Sequence, residues 1–199
     1  MTPTATVPAN YLHSAGFRRL SVREYHDIIK AGILTDGEPI ELLEGYMVQK
    51  MARGTSHDSV MDSLDGLWPD VVPDGWFVRS QRAITLADSE PEPDYAIVRG
   101  PRSRYRTTHP TPSDVGLVVE ISASSLLIDT SDKARIYAAA GVPVYWVVNL
   151  PDRRVEVFTD PDPSAGRFRN RVEFQAGDSV PVVLDGTAVG SIAVAAILP

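Results

Sequence analysis

The sequence predicts an α/β fold, and three observations carry that reading. Segments with apolar residues at helical spacing alternate with apolar runs of strand length. Leu117–Ile121, a helix over Ser131–Ala140 and Val144–Asn149 follow one another as strand, helix and strand, the sequence of a crossover between neighbouring strands of one sheet. Nothing in the chain repeats and no linker divides it. Its 199 residues therefore read as one domain over residues 17–199, behind a loose arm at residues 1–16.

The elements follow in order. Ser21 opens a helix through a capping box with Glu24, and Val22, Tyr25, Ile28 and Ile29 form its apolar stripe as far as Gly32. Ile40–Leu43 and Tyr46–Met51 read as a hairpin closed at Glu44-Gly45. Thr55 or Ser56 caps a second helix, striped by Val60, Met61, Leu64, Leu67 and Trp68, and Pro69 is expected to stop it. Strands follow at Trp76–Ser80, Arg82–Leu86 and Tyr95–Val98. The loop Arg99–Asp114 is long for a compact domain, which points to a functional or a disordered segment. After the crossover, Val144–Asn149 pairs with Val155–Phe158 across Pro151-Asp152. Short β segments at Val172–Gln175 and Pro181–Leu184 then lead into an apolar tail.

Composition narrows the function classes. Apolar residues are 43% and charged residues 23% of the chain, ordinary globular usage. The absence of cysteine excludes disulfides, thiolate zinc sites and cysteine nucleophiles. No apolar run approaches the ~20 residues of a membrane span. Met1–Asn10 has neither the basic start nor the apolar core of a secretory signal, so a cytoplasmic location is expected. A formal net charge of −7 argues against a protein that coats nucleic acid, since that affinity comes from Lys and Arg. It leaves room for an enzyme that holds a cation among carboxylates and touches its substrate locally.

The informative residues are ionisable groups on faces that should be apolar. Lys133 completes the spacing of Ile136, Tyr137 and Ala140, and His57 stands in the same relation to Val60, Met61 and Leu64. Two helices thus each aim a basic residue inwards. Glu120 interrupts the buried run Leu117–Ser122, sharing a face with Val118 and Ser122. A buried carboxylate must be paired, coordinate a metal or shift its pKa. Asp94 follows the stiff Pro91-Glu92-Pro93 and leads directly into a strand, and Glu41 lies in the first hairpin beside Leu42.

Singly, each has a plainer reading: an ion pair for Glu120, a snorkelling Lys133, a capping or satisfied His57, turn positions for Asp94 and Glu44. Together, two carboxylates on strand segments with a lysine on the next helix make a hard-cation site. Mg²⁺ takes one or two carboxylates with waters and phosphate oxygens, and phosphodiester hydrolysis is the matching reaction class. Arg102, Arg104 and Arg106 surround Tyr105 with no acid among them, the composition of a phosphate-contacting loop or of a solvated surface.

Taken in order, Glu41-Leu42-Leu43-Glu44-Gly45, His57, Pro93-Asp94, Val118-Val119-Glu120-Ile121-Ser122, Lys133 with Tyr137, and Gly141–Val148 resemble the Uma2 family of the PD-(D/E)XK nuclease superfamily. The closing hairpin at Val155–Phe158 matches as well, so the resemblance covers most of the chain. It implies a restriction-endonuclease-like core, a mixed β-sheet flanked by helices, with Asp94 and Glu120 as metal ligands. The superfamily lysine is expected two residues after the second acid, where this chain has Ser122; in Uma2-like proteins it looks displaced onto the following helix, at Lys133. Glu41 and His57 match the N-terminal motif in supporting roles, and Tyr46 stands where an acid is more usual after the glycine.

The leading expectation is an endonuclease that hydrolyses DNA with Mg²⁺ or Mn²⁺ at Asp94 and Glu120, with Lys133 orienting or activating water. Glu41 and His57 support the site. Cutting both strands of a duplex would favour a symmetric homodimer. The alternative is a non-catalytic nucleic-acid-binding or assembly protein that keeps the fold as a scaffold. A glycosidase with paired carboxylates ranks last, because it leaves Lys133 unexplained and the chain lacks an aromatic-rich cleft.

Overall fold

A computed structural model describes residues 16–35 and 37–199, so the expected arm lies outside the described residues except for Gly16. Helix α1 (Val22–Lys30) starts at the Ser21–Glu24 capping box: Ser21 Oγ accepts the Glu24 N–H and the Glu24 carboxylate accepts the Ser21 N–H. Of its stripe only Tyr25 is buried. Strands β1 (Ile40–Leu43) and β2 (Tyr46–Gln49) form the expected hairpin. Glu44 and Gly45 both take positive φ, 48° and 80°, as a two-residue hairpin turn requires. A Cβ on Gly45 would come within 2.6 Å of Arg19 Cβ, so glycine is needed there twice over.

Helix α2 (Thr55–Val71) departs from expectation at both ends. Gly54 holds the N-cap position, which places Thr55 and Ser56 inside the helix. Pro69 does not stop it. The helix runs on to Val71 and closes with the Val72 N–H on the Trp68 carbonyl at 2.9 Å. Trp68 is buried against Trp146 and Tyr95, which anchors this last turn from the core side.

Six strands make the main sheet: β3 (Trp76–Ser80), β4 (Tyr95–Arg99), β5 (Val115–Ser122), β6 (Val144–Asn149), β7 (Arg154–Asp162) and β8 (Arg167–Phe174), side by side in that order. β5 and β6 are parallel and every other pair is antiparallel, so the sheet is mixed. The parallel pair is joined by α3 (Leu126–Ile128), a π-helical turn (Asp129–Lys133) and α4 (Ala134–Ala139). This helical segment begins before the expected Ser131. A second hairpin, β9 (Ser179–Leu184) with β10 (Thr187–Ala193), and the short α5 (Val194–Ile197) complete the chain.

Arg82–Leu86 is not a strand. Gln81 takes φ 51° and turns the chain out of the sheet after Ser80. The N–H groups of Ile84, Thr85 and Leu86 go instead to the carbonyls of Pro91, Pro110 and Ser89. The apolar pattern there reflects burial of Ala83, Ile84 and Leu86 under neighbouring loops.

β5 is buried along its whole length, and its alternation feeds two cores. Leu117, Val119 and Ile121 pack with α2, the β9–β10 hairpin and α5; Val118 packs with Tyr137 and Tyr145 beneath the crossover helix. Glu120 stands on that second face. No described helix is long and apolar enough to cross a membrane.

Candidate metal and phosphoryl-transfer site

The sheet register sets the carboxylates side by side. Tyr95 pairs with Val119, so Asp94, one residue before β4, comes level with Glu120 on β5. Asp94 Oδ2 accepts the Ile121 N–H at 2.8 Å and lies 3.1 Å from His57 Nε2, which α2 delivers from its buried stripe. Glu120 Oε1 accepts from Lys133 Nζ at 3.0 Å and from the Tyr137 hydroxyl at 2.9 Å. Lys133 Nζ also lies 3.1 Å from Glu41 Oε1 and 4.0 Å from Asp129 Oδ1. Glu41 is itself held by the Glu92 N–H on Oε2 at 3.1 Å.

The π-helical turn explains how Asp129 and Lys133 come to share this cluster. Both are buried at opposite ends of its five residues, where a wider turn re-aims side chains relative to an α-helix. Asp129 Oδ2 accepts from Ser122 Oγ and Ser125 Oγ, both at 2.6 Å.

Three carboxylates, Glu41, Glu120 and Asp129, therefore stand buried around the Lys133 ammonium, with the buried Asp94 level with Glu120 on the neighbouring strand. Desolvation, with repulsion from Asp129, Asp94 and Glu41, outweighs the pull of Lys133 and raises the Glu120 pKa to about 8. Burial likewise holds Asp129 above the usual carboxylate range. For Lys133 the balance is reversed. Burial disfavours its charge, but Glu120, Glu41 and Asp129 together push its pKa above the ordinary lysine value.

Glu41, His57, Asp94, Glu120 and Lys133 line one cleft, together with Lys50 and Arg53. The loop arginines lie elsewhere, beyond the end of β4 opposite Asp94. Arg102 sits 5.1 Å from the Phe77 ring centre, Arg104 bonds Asp114 at 2.8 Å, and Arg106 lines a separate cavity with His26 and His109. Asp129 is a site residue that the sequence signals only by its i, i+4 spacing to Lys133, and Tyr137, which stands in an apolar stripe and in the Uma2 resemblance, turns out to hold Glu120.

The donor set suits a hard divalent cation of the Mg²⁺ type. Among the described residues no three His, Asp or Glu side chains converge at metal-ligand spacing. Mg²⁺ does not need three, since it takes one or two carboxylates and completes its shell with water and phosphate oxygens. Asp94 Oδ1 and Glu120 Oε2 make no hydrogen bond among the described residues, and the local excess of negative charge favours a cation.

The Uma2 family model, described as "Putative restriction endonuclease", matches residues 22–193. The chain belongs to the Uma2 family. The fold is also shared with a solved structure from Anabaena variabilis ATCC 29413, described as "a putative nuclease belonging to DUF820". The TM-score is 0.69 at 16% identity, over 89% of this chain and 97% of that one. At that identity the likeness is one of fold. No protein of curated function matches the chain.

In this Uma2 chain the position two residues after Glu120 is spent on Ser122, whose hydroxyl fixes Asp129. The ammonium arrives from the π-helical turn and reaches Glu120 from the adjacent helix.

Proposed function

We propose that this Uma2 protein is a Mg²⁺- or Mn²⁺-dependent endonuclease that hydrolyses phosphodiester bonds in DNA. The observation that carries the reading is the paired placement of Asp94 and Glu120 in one cleft, with Lys133 on Glu120. Asp94 and Glu120 are the residues that would hold the cation. Bound there, it supplies Lewis-acid stabilisation of charge building on the phosphate oxygens.

The side chains around them have distinct parts. His57 and the Ile121 N–H fix Asp94 through a single oxygen. Tyr137 and Lys133 fix Glu120 through Oε1. Lys133, held as an ammonium by its carboxylates, cannot take a proton from water. Its part is to orient water and to offset negative charge at the phosphorus. Glu41 keeps that ammonium in place. Two such sites in a homodimer would cut both strands of a duplex in the cytoplasm.

The test is cleavage of supercoiled plasmid and of short duplexes with Mg²⁺ or Mn²⁺, by the wild type and by Asp94→Asn and Glu120→Gln. Nicking by the wild type alone, with calorimetric metal binding lost in both variants, is expected. A folded wild type that neither binds metal with DNA present nor cleaves would favour the scaffold reading.

A further inference from the structure

Strand β3 carries a buried cation that the site above does not use. Arg79 is 7% exposed and shares a sheet face with Ala96 and Val118, its neighbours across β4 and β5. By strand spacing it stands roughly 12 Å from Glu120 across the sheet. No carboxylate lies within ion-pair distance of its guanidinium among the described residues. Its Nε is buried without a partner, and its one hydrogen bond is a long contact of 3.4 Å from Nη2 to the Ala83 carbonyl. The Tyr105 ring gives the guanidinium a cation–π contact at 5.7 Å but no countercharge. Burying an unpaired charge costs several kcal/mol, so an arginine kept in this state calls for a counter-anion.

The surroundings say where that anion would sit. Arg79 lines a cavity with Arg82, Gln81 and His109. Glu90 and Glu92 line it too, each held by other partners: Glu90 hydrogen-bonds His26 at 2.8 Å and Thr85 at 2.7 Å, and Glu92 pairs with Lys50 at 2.6 Å. Neither Arg79 nor Arg82 has an acid within ion-pair distance among the described residues. Burial and the nearby Arg82 charge both draw the Arg79 pKa down, as expected of cations crowded together without an acid. Glu92 also lines the cleft of Asp94 and Glu120, so the two cavities adjoin. On the other side His109 is shared with the cavity that Arg106 lines.

We propose that the Arg79–Arg82 cavity is a second phosphate subsite, which takes a phosphodiester group of the same nucleic-acid strand a few nucleotides from the one at Asp94 and Glu120. The inference rests on the nuclease reading for the strand it names, and on the unpaired Arg79 for the phosphate. A planar guanidinium presents paired donors to phosphate oxygens, and a desolvated one holds them more strongly than a surface lysine.

The test uses the full chain in EDTA, where no cleavage occurs, with two probes: inorganic phosphate, and a short fluorescein-labelled oligodeoxynucleotide read by anisotropy. Arg79→Met removes the charge at similar length and is expected to fold with an unchanged or raised melting temperature. Phosphate is expected to raise the melting temperature of the wild type and not of this variant. Oligonucleotide affinity should fall about tenfold, with the salt slope reduced by about 0.7 for the lost single-strand contact. Arg82→Gln, at an exposed position, should weaken both probes by about threefold and carries the test should Arg79→Met not fold. Binding of both probes unchanged in the folded variants overturns the inference, whatever the cleavage assay shows. Arg79-dependent phosphate binding with no oligonucleotide binding overturns the strand assignment together with the nuclease reading. Arg79-dependent oligonucleotide binding by a protein that never cleaves upholds the subsite and removes only the catalytic claim.

Discussion

His57 Nε2 and the Ile121 N–H converge on one oxygen of Asp94, Oδ2, at 3.1 and 2.8 Å. A carboxylate accepts and cannot donate, so in this contact it is the His57 ring that donates, from Nε2. Buried His57 thereby sets the rotation of the carboxyl group and leaves Oδ1 for the cleft.

Removing that ring therefore misaims a ligand without deleting it. His57→Gln is expected to weaken Mg²⁺ binding and cleavage by about 10- to 100-fold, the usual effect of losing an orienting partner. Stability should fall by only about 1 kcal/mol, because Ile121 still holds Asp94. Calorimetry and urea unfolding on the same sample separate the two effects. A variant that binds metal as tightly as the wild type would show that Asp94 needs no such support.

Glu120→Gln tests the same site from the charge side. The amide oxygen can still accept from Lys133 and Tyr137, and the side chain can no longer ionise among the neighbouring buried acids, an ionisation that burial already disfavours. The metal-free protein is expected to melt no lower than the wild type, and its stabilisation by added Mg²⁺ should vanish. Thermal melts with and without Mg²⁺ read both quantities.

Lys133 has the opposite character. It is the only ammonium within 4.0 Å of Glu41, Glu120 and Asp129 among the described residues. Lys133→Met leaves these buried acids without a counter-charge and is expected to cost about 3–5 kcal/mol in urea unfolding. Adding Glu41→Gln should return part of that loss, with a coupling of about 0.5–3 kcal/mol in the double-mutant cycle. Additive losses would mean that the 3.1 Å contact carries no net energy.

Three site residues were legible in the sequence because they break a regular period, while Asp94 and Glu41 were marked by the prolines and the hairpin beside them. Glu120 interrupts an apolar strand, and Lys133 and His57 interrupt apolar helix stripes, so burial followed from spacing alone. Asp129 escaped because a helix counted from Ser131 at 3.6 residues per turn excludes it, and no pattern announces a π-helical turn. Arg79 obeys the same alternation argument as Glu120, sharing its face with Phe77, but a five-residue strand gives little period to break. Local pattern was overridden where tertiary contacts satisfied the backbone. Arg82–Leu86 has strand-like composition but bonds to loops, and α2 passes through Pro69 because Trp68 is locked in the core. The loop arginines failed to reach the cleft because β4 separates its two ends, a matter of topology that composition does not carry.

The buried tyrosines make the fold sensitive to alkali. Burial, with the charges of Glu92, Glu90 and Glu41, raises the Tyr25 pKa to about 12. Burial also raises Tyr95, beside Asp65, Tyr137, beside Glu120, and Tyr145, near Asp129. A raised pKa means that the folded state keeps a proton the unfolded state releases near pH 10. Stability from this source is complete below pH 10 and is lost as pH rises towards 12. In a spectrophotometric titration, at least four of the seven tyrosines should ionise only as the protein unfolds. Ionisation of all seven before any loss of secondary structure would contradict this burial.

Two glycines are expected to respond to alanine with opposite signs. Gly116 is the extra residue of a bulge in β5, where Ile97 pairs with Leu117 and Val98 with Val115. A Cβ there would lie 2.7 Å from both Leu184 Cδ2 and Trp76 Cζ3, at the seam between the main sheet and the β9–β10 hairpin. Leu184 is buried in the core, so the methyl group is admitted only by displacing Trp76 from beneath the Arg99 guanidinium, 4.6 Å away. Gly116→Ala should therefore cost about 1–3 kcal/mol through overpacking. Gly66 lies within α2, where a Cβ would meet nothing within 4 Å. Gly66→Ala should stabilise by up to about 1 kcal/mol, from the lower backbone entropy of the unfolded chain and the better helix propensity. Paired urea denaturation curves decide the matter, because the same methyl group is added in both. Equal effects would mean that the bulge at Gly116 can open to admit it.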